Sequence, residues 1–237
     1  MTGMRVVVPF DATNPKTRLA PVLDAAERDE LARRMLRDVL DAVGDLPRTD
    51  AVDDVAVEVV STAPLDLATD RDCDSGGSDR PGPDDPPVTV RVDDRSLDAA
   101  VDDAVAETVG AGDGESLAVV MADLALATPA ALCRLVRTDG DVVLVPGRGV
   151  GTNALVVRTP AFRADFHGTS YLDHRRAAAA VGSVRSVDSF RLSTDVDEPA
   201  DLVEAFVHGG ERTREWLTAR FELAVDEEEG RVSLARR

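Results

Sequence analysis

Apolar and polar positions along this chain switch repeatedly between the period of a strand and the period of a helix. Arg5–Phe10 (Arg-Val-Val-Val-Pro-Phe) is short, apolar and β-branched, which predicts a buried strand of a parallel sheet. Asp24-Ala-Ala-Glu27 then reads as a capping box with Asp in the Ser/Thr position, and Leu31, Met35, Val39 and Val43 follow at i+4 steps, the stripe of an amphipathic helix. Asp53–Ser61 reads as a second strand and Val88–Val92 as a short third. Ser96 caps a helix carrying Leu97, Val101, Ala104 and Val105. Ser116–Met121 has the profile of a central strand and ends at Ala122-Asp123-Leu124. Thr128-Pro129 opens another helix, with the cap at Thr128 and proline in the first turn. Asp141–Val145 and Ala154–Arg158 are strands on either side of a glycine-dense segment. Ser170–Val181 reads as a helix, Val184–Val187 as a short strand, Pro199–Val207 and Arg212–Arg220 as helices, and the remainder as a charged tail.

Strands alternating with helices predict a single α/β domain over residues 1–237, an α/β/α sandwich with a mostly parallel sheet. Residues 68–87 break the pattern: polar, acidic and rich in Gly and Pro, they read as a solvated loop. Aromatics make up 3% of the chain, so the core must rest on Val, Leu and Ala. The formal net charge of −18 argues against non-specific nucleic-acid binding, which needs clustered Lys and Arg. Such acidity with almost no lysine suits a protein kept soluble in concentrated salt. Cys73 and Cys133 fit no metal or redox spacing, and no long apolar run is present. The expectation is therefore a cytoplasmic protein without membrane contact.

Candidate chemistry collects after the strands. A strand, a cationic loop and a helix are how an α/β protein builds a phosphate site, and Lys16 in that loop is the chain's only lysine. A compact ammonium kept where arginine is otherwise preferred points to a phosphate contact; a solvated surface lysine is the competing reading. Asp123 follows the central strand, while Asp195 and Asp197 share a later turn at i, i+2 spacing, which points both carboxylates one way. Three oxygen ligands without His or Cys suit Mg²⁺, although Asp123 could be a turn residue and Asp197 a cap for the helix at Pro199. In Gly147-Arg-Gly-Val-Gly-Thr-Asn153, glycines permit close approach of backbone to a ligand, and Thr152 and Asn153 offer donors to a phosphate or carboxylate. Composition alone favours a flexible hairpin turn there. His174 reads as a packed or solvated helix residue, His167 and His208 have no evident partner in sequence, and no Ser-His-Asp triad is suggested.

Val-Pro-Phe with Pro15-Lys-Thr-Arg-Leu19, Ala122-Asp-Leu124, Gly151-Thr-Asn-Ala-Leu155, Phe166 with Ser170-Tyr-Leu-Asp-His174, and Asp195-Val-Asp-Glu-Pro199 occur in that order. Together they resemble the 2-phospho-L-lactate guanylyltransferase family of coenzyme F420 biosynthesis, in its halophilic archaeal form, over nearly the whole chain to about Val207. The resemblance implies a nucleotide-diphospho-sugar transferase-like fold and transfer of GMP from GTP to 2-phospho-L-lactate or phosphoenolpyruvate. It implies that Lys16 and Arg18 act on the GTP phosphates, and that Pro9, Phe10, Leu97 and Asp98 border the nucleotide. It further implies that Asp123, Asp195 and Asp197 hold Mg²⁺, that Thr152, Asn153, Gly168 and Ser170 meet the acceptor, and that the protein is a homodimer. The chain departs from the family pattern at Asp98, at Ala125, and at His167-Gly168, which leaves either of the last two as the acceptor contact. A sugar-phosphate or molybdopterin nucleotidylyltransferase of the same fold, and a nucleotide-binding module without turnover, are the alternatives.

Overall fold

The computed structural model describes residues 3–46, 54–67, 88–225 and 230–237. The loop expected at 68–87, together with Cys73, lies outside the described residues.

The β-branched run at the N-terminus forms β1 (Gly3–Phe10), paired in parallel with β2 (Asp54–Ser61) on one side and β4 (Ser116–Val120) on the other. β3 (Val88–Val92) continues the sheet in parallel beyond β2. Past β4 the direction changes. β6 (Thr152–Val157) runs antiparallel to both β4 and β5 (Val142–Pro146), and β7 (Val184–Ser186) closes the edge in parallel with β5. The seven-stranded order is β3-β2-β1-β4-β6-β5-β7, mostly parallel with β4 in the middle, as the sequence pattern implies.

The strand period of two sends side chains to opposite faces, and each face acquires its own core. Val6, Val8 and Phe10 pack with Leu36, Val39 and Val43 of α1 (Ala25–Gly44) and Leu132 and Leu135 of α3 (Pro129–Arg137). Val7, Leu117 and Val119 pack on the other face, with Val101 and Val105 of α2 (Leu97–Thr108) and Ala178 of α4 (Ser170–Val181). The capping box at α1 is complete: Asp24 accepts from Glu27 N, and Glu27 accepts from Asp24 N. Ser96 and Thr128 cap α2 and α3 as expected.

Differences appear toward the C-terminus. A four-residue helix α5 (Phe190–Ser193) precedes the acidic turn, and the next helix, α6 (Asp201–His208), begins at Asp201 rather than at Pro199. After α7 (Glu211–Arg220) the expected charged tail is a hairpin, β8 (Phe221–Val225) against β9 (Val232–Arg236). It is tied to the body by Phe221, buried with Trp216 and Leu217 in a third apolar cluster with Leu19, Leu31 and Met35, and by Arg236, which donates to Glu27 and to Val22 O. Alternation over only five residues inside a charged segment is a weak strand signal, so the packing of Phe221 had to decide it. No helix among the described residues is long and apolar enough to cross a membrane.

Candidate active site

β1 and β4 run side by side and release their following loops at the same end of the sheet, which brings Lys16 and Asp123 together. A cleft of about 240 Å³ opens there, bordered by Pro9, Phe10, Asp11, Lys16, Asp123 and Asp197 among others. Lys16 takes left-handed backbone angles (φ 55°, ψ 42°) just before a 3₁₀ turn at Thr17–Leu19, whose Leu19 is buried and anchors the loop. The Lys16 ammonium donates to Asp123 Oδ2 at 2.6 Å and to Asp197 Oδ1 at 2.7 Å, and Arg18 Nη1 donates to Asp197 Oδ2 at 3.0 Å. Burial works against the Lys16 charge, but the two carboxylates outweigh it and hold its pKa above the ordinary lysine value. The sequence-derived cations and acids are therefore one cluster. The solvated-lysine reading of Lys16 does not fit its geometry, while Arg18 is largely exposed.

The second acidic segment is brought in by backbone: Val196 N–H donates to Asp123 O at 3.2 Å. Asp123, Asp195 and Asp197 each present a carboxylate oxygen within 4.8 Å of the others. Burial first, and then the Asp123 charge, push the Asp195 carboxyl above its usual range, against a donor from Asn153. Asp123 Oδ1 is buried and has no hydrogen-bond partner among the described residues, which a cation in the cluster would supply. The donor set is oxygen only and fits a hard divalent cation such as Mg²⁺. Asp197 is not the cap of the following helix. Instead Asp201, four residues further on, accepts from Asp197 N–H at 3.2 Å and Glu198 N–H at 2.8 Å, and Arg148 donates to it at 3.1 Å. Asp201 was not evident from sequence; an acid four residues after Asp197 was the available signal.

The residues expected at the acceptor do not border that cleft. The segment 147–151 is a hairpin turn, closed by Gly147 N–H to Gly151 O at 2.8 Å, in agreement with the compositional reading. Thr152 and Ser170 are buried against one another, Thr152 N–H donating to Ser170 Oγ at 2.9 Å. Behind them His174, fully buried, receives the Asp165 N–H on Nε2 at 2.8 Å, so its proton sits on Nδ1 and faces Thr152 Oγ1 at 2.8 Å. Gly168 takes a left-handed φ of 52° in the loop before Ser170. Asp98 reaches that loop rather than the cleft: its Oδ1 accepts from Phe166 N at 2.6 Å and its Oδ2 lies 3.2 Å from His167 Nδ1. His167 thus has the carboxylate neighbours that its sequence context does not reveal. Both amide hydrogens of Asn153 are used internally, on Leu192 O and on Asp195 Oδ1, each at 3.1 Å.

Fold comparison points to one class. A protein from Desulfovibrio desulfuricans G20 assigned as a nucleotide-diphospho-sugar transferase superposes with a TM-score of 0.61 at 16% identity, covering 92% of this chain and 95% of that one. The 4-diphosphocytidyl-2C-methyl-D-erythritol synthase structure gives 0.51 at 16% identity, over 87% and 99%. The chain thus has the nucleotide-diphospho-sugar transferase-like fold. A family model described as "Guanylyl transferase CofC like" matches residues 4–71 and 84–236, and the chain belongs to that family. Among its relatives, a protein of Halomicrobium mukohataei named 2-phospho-L-lactate guanylyltransferase is 53% identical, covering 98% of this chain and 100% of its own. One of the same name from Haloterrigena turkmenica is 50% identical over 98% and 97%.

Proposed function

We propose that this chain joins the guanylyl group of GTP to 2-phospho-L-lactate with release of pyrophosphate, phosphoenolpyruvate being the alternative acceptor. The family match over residues 4–71 and 84–236 carries this reading. The cleft chemistry supports it. An acceptor phosphate oxygen forms a bond to the α-phosphorus of GTP while the bond from that phosphorus to the α–β bridging oxygen breaks, and pyrophosphate leaves with the electron pair. The second pKa of a phosphate monoester, about 6, leaves the nucleophile mostly dianionic at neutral pH, so no side chain has to remove a proton. That agrees with a site in which His174 is buried and committed to two partners.

The barrier is the meeting of two anions. Lys16 is pre-set beside Asp123 and Asp197 and can turn its point charge to a phosphate oxygen, while the exposed Arg18 reaches the outer phosphates. Asp123, Asp195 and Asp197 would hold Mg²⁺, which when bound supplies positive charge to the reacting phosphates. Pro9 and Phe10 border the cleft in which the nucleotide would lie; Leu97, Asp98, Thr152, Gly168 and Ser170 stand outside it, and their nucleotide and acceptor roles rest on the family resemblance alone. A cytoplasmic setting in concentrated salt, a homodimeric assembly and a single catalytic domain belong to the same proposal.

The test is a pyrophosphate-release assay pairing GTP, ATP, CTP and UTP with 2-phospho-L-lactate, phosphoenolpyruvate and glucose 1-phosphate, with and without Mg²⁺. GTP with one of the two phosphorylated acids should be fastest, and chelation should abolish turnover. Equal or better turnover with the sugar phosphate would overturn the reading, as would binding of GTP without any product.

A further inference from the structure

Asn153 stands on β6 where the pairing with β5 slips. Val145 faces Ala154, but the next residue, Pro146, faces Thr152, so Asn153 is an extra residue and the strand carries a β-bulge. Bulges re-aim side chains, and this one sends a carboxamide toward the acidic turn. The amide is almost fully buried, and both of its hydrogens are accounted for: one goes to Leu192 O, the carbonyl one helical step before that turn, and the other to Asp195 Oδ1. The space it occupies is reserved. A Cβ on Gly147 would lie 2.2 Å from Asn153 Oδ1 and 2.9 Å from its Cγ, so any larger residue at 147 would displace the amide.

We propose that Asn153 is a positioning residue for Asp195 as a metal ligand, with Gly147 conserving its room. The inference rests on the metal reading of Asp123, Asp195 and Asp197. By holding Oδ1, the carboxamide fixes the rotamer of Asp195 and leaves the other oxygen for the cation. A neutral donor suits this place. Lysine or arginine there would compete with the cation for Asp195, whereas an amide orients the carboxylate and leaves the cluster's charge intact. Outer partners of this kind typically control metal affinity by 10- to 100-fold. Asn153 is then not an acceptor contact, since neither amide hydrogen is free to meet a phosphate.

The experiment measures Mn²⁺ binding to the full chain by electron paramagnetic resonance, without GTP or acceptor, beside steady-state kinetics and thermal melts. Asn153→Leu keeps the volume and removes the donor; Gly147→Ala leaves the amide intact but pushes it aside. The Mn²⁺ Kd should rise on the order of 10- to 100-fold in Asn153→Leu and about 10-fold in Gly147→Ala. The KM for 2-phospho-L-lactate at saturating metal should stay within about twofold. A Kd within twofold of the parent in whichever variant remains folded would overturn the inference, and so would a lower melting temperature with unchanged Mn²⁺ binding. A rise in acceptor KM alone would return Asn153 to the acceptor, and a parent that binds no Mn²⁺ would remove the site altogether. Failure of the guanylyl-transfer reading shows separately, as no pyrophosphate from the parent, and leaves the Mn²⁺ measurement decisive for Asn153.

Discussion

At the scale of single residues, the cost and the use of an unusual conformation meet at Lys16. Left-handed backbone at a residue with a side chain costs on the order of 1–3 kcal/mol, and such strain persists where the surroundings over-determine it. Here two carboxylates at 2.6 and 2.7 Å and the buried Leu19 supply the constraint. A guanidinium is planar and longer, and cannot sit as a point charge between Asp123 and Asp197 without moving the loop. Lys16→Arg should therefore lower kcat/KM for GTP by roughly 10- to 1,000-fold while circular dichroism and melting temperature match the parent. A value near the parent's would mean that Lys16 only neutralises Asp123 and Asp197 and does not meet the GTP phosphates. His174 gives a prediction in pH. Burial holds its pKa below the usual value of 6.5, against the raising charges of Asp165, Asp98, Asp173 and Asp102. The unfolded chain takes up a proton below about pH 6.5 and the folded chain resists it, so this contribution to stability is full above that pH and is lost on acidification below it. Thermal melts from pH 7.5 to 5.5 should fall more steeply for the parent than for His174→Asn, which has no titrating ring. Parallel curves would mean that the imidazole takes up its proton equally well in the folded and unfolded chain, and that burial does not hold it neutral.

At the scale of elements, helices that lack their own caps are completed by distant side chains. The N-cap of α7 is Gly210, which offers no side-chain acceptor. Its first amides are met by Asp38 of α1: Arg212 N–H donates to Oδ1 at 3.1 Å and Thr213 N–H to Oδ2 at 2.9 Å. Gly210 is required for this approach, because a Cβ there would lie 2.3 Å from Asp38 Cγ. Asp38→Ala leaves two amides without acceptors and should cost about 2 kcal/mol. The melting temperature should then drop by roughly 4–8 °C, given about 2–4 °C per kcal/mol at this chain length. Differential scanning calorimetry reads this directly, and an unchanged melt would show that water replaces the carboxylate. The same device holds the loop before α4. Asp102 accepts from Ala164 N–H at 2.8 Å, His174 from Asp165 N–H at 2.8 Å and Asp98 from Phe166 N–H at 2.6 Å, three successive amides on three different side chains.

For the whole molecule, the charge of −18 dominates. Carboxylates crowd the surface, and their mutual repulsion opposes the compact state unless salt screens it, with a Debye length near 3 Å at 1 M against about 10 Å at 0.1 M. The melting temperature should rise steadily between 0.1 M and 3 M KCl. A flat profile would mean that the local pairs, such as Arg5 with Glu58 and Glu107, already neutralise the repulsion.

Periodicity along the chain was enough to determine the strands and helices of the sheet layers, because each buries one face over many residues and the apolar repeat is written locally. The box at Asp24–Glu27 and the caps at Ser96 and Thr128 are local in the same way, since donor and acceptor lie within three residues. The gathering of Lys16, Asp123 and Asp197 was legible as three strand-end or turn positions, but their mutual contacts span 107 and 181 residues and exist only through the sheet order. The tail failed for a similar reason: β9 is tied back to α1 by Arg236, which donates to Glu27 across 209 residues, and β8 by Phe221 in the cluster with Leu19, Leu31 and Met35. The aim of Asn153 was beyond the sequence altogether. A one-residue slip between β5 and β6 turns that amide from a candidate acceptor contact toward Asp195, and a strand's register is decided by what packs on both of its faces.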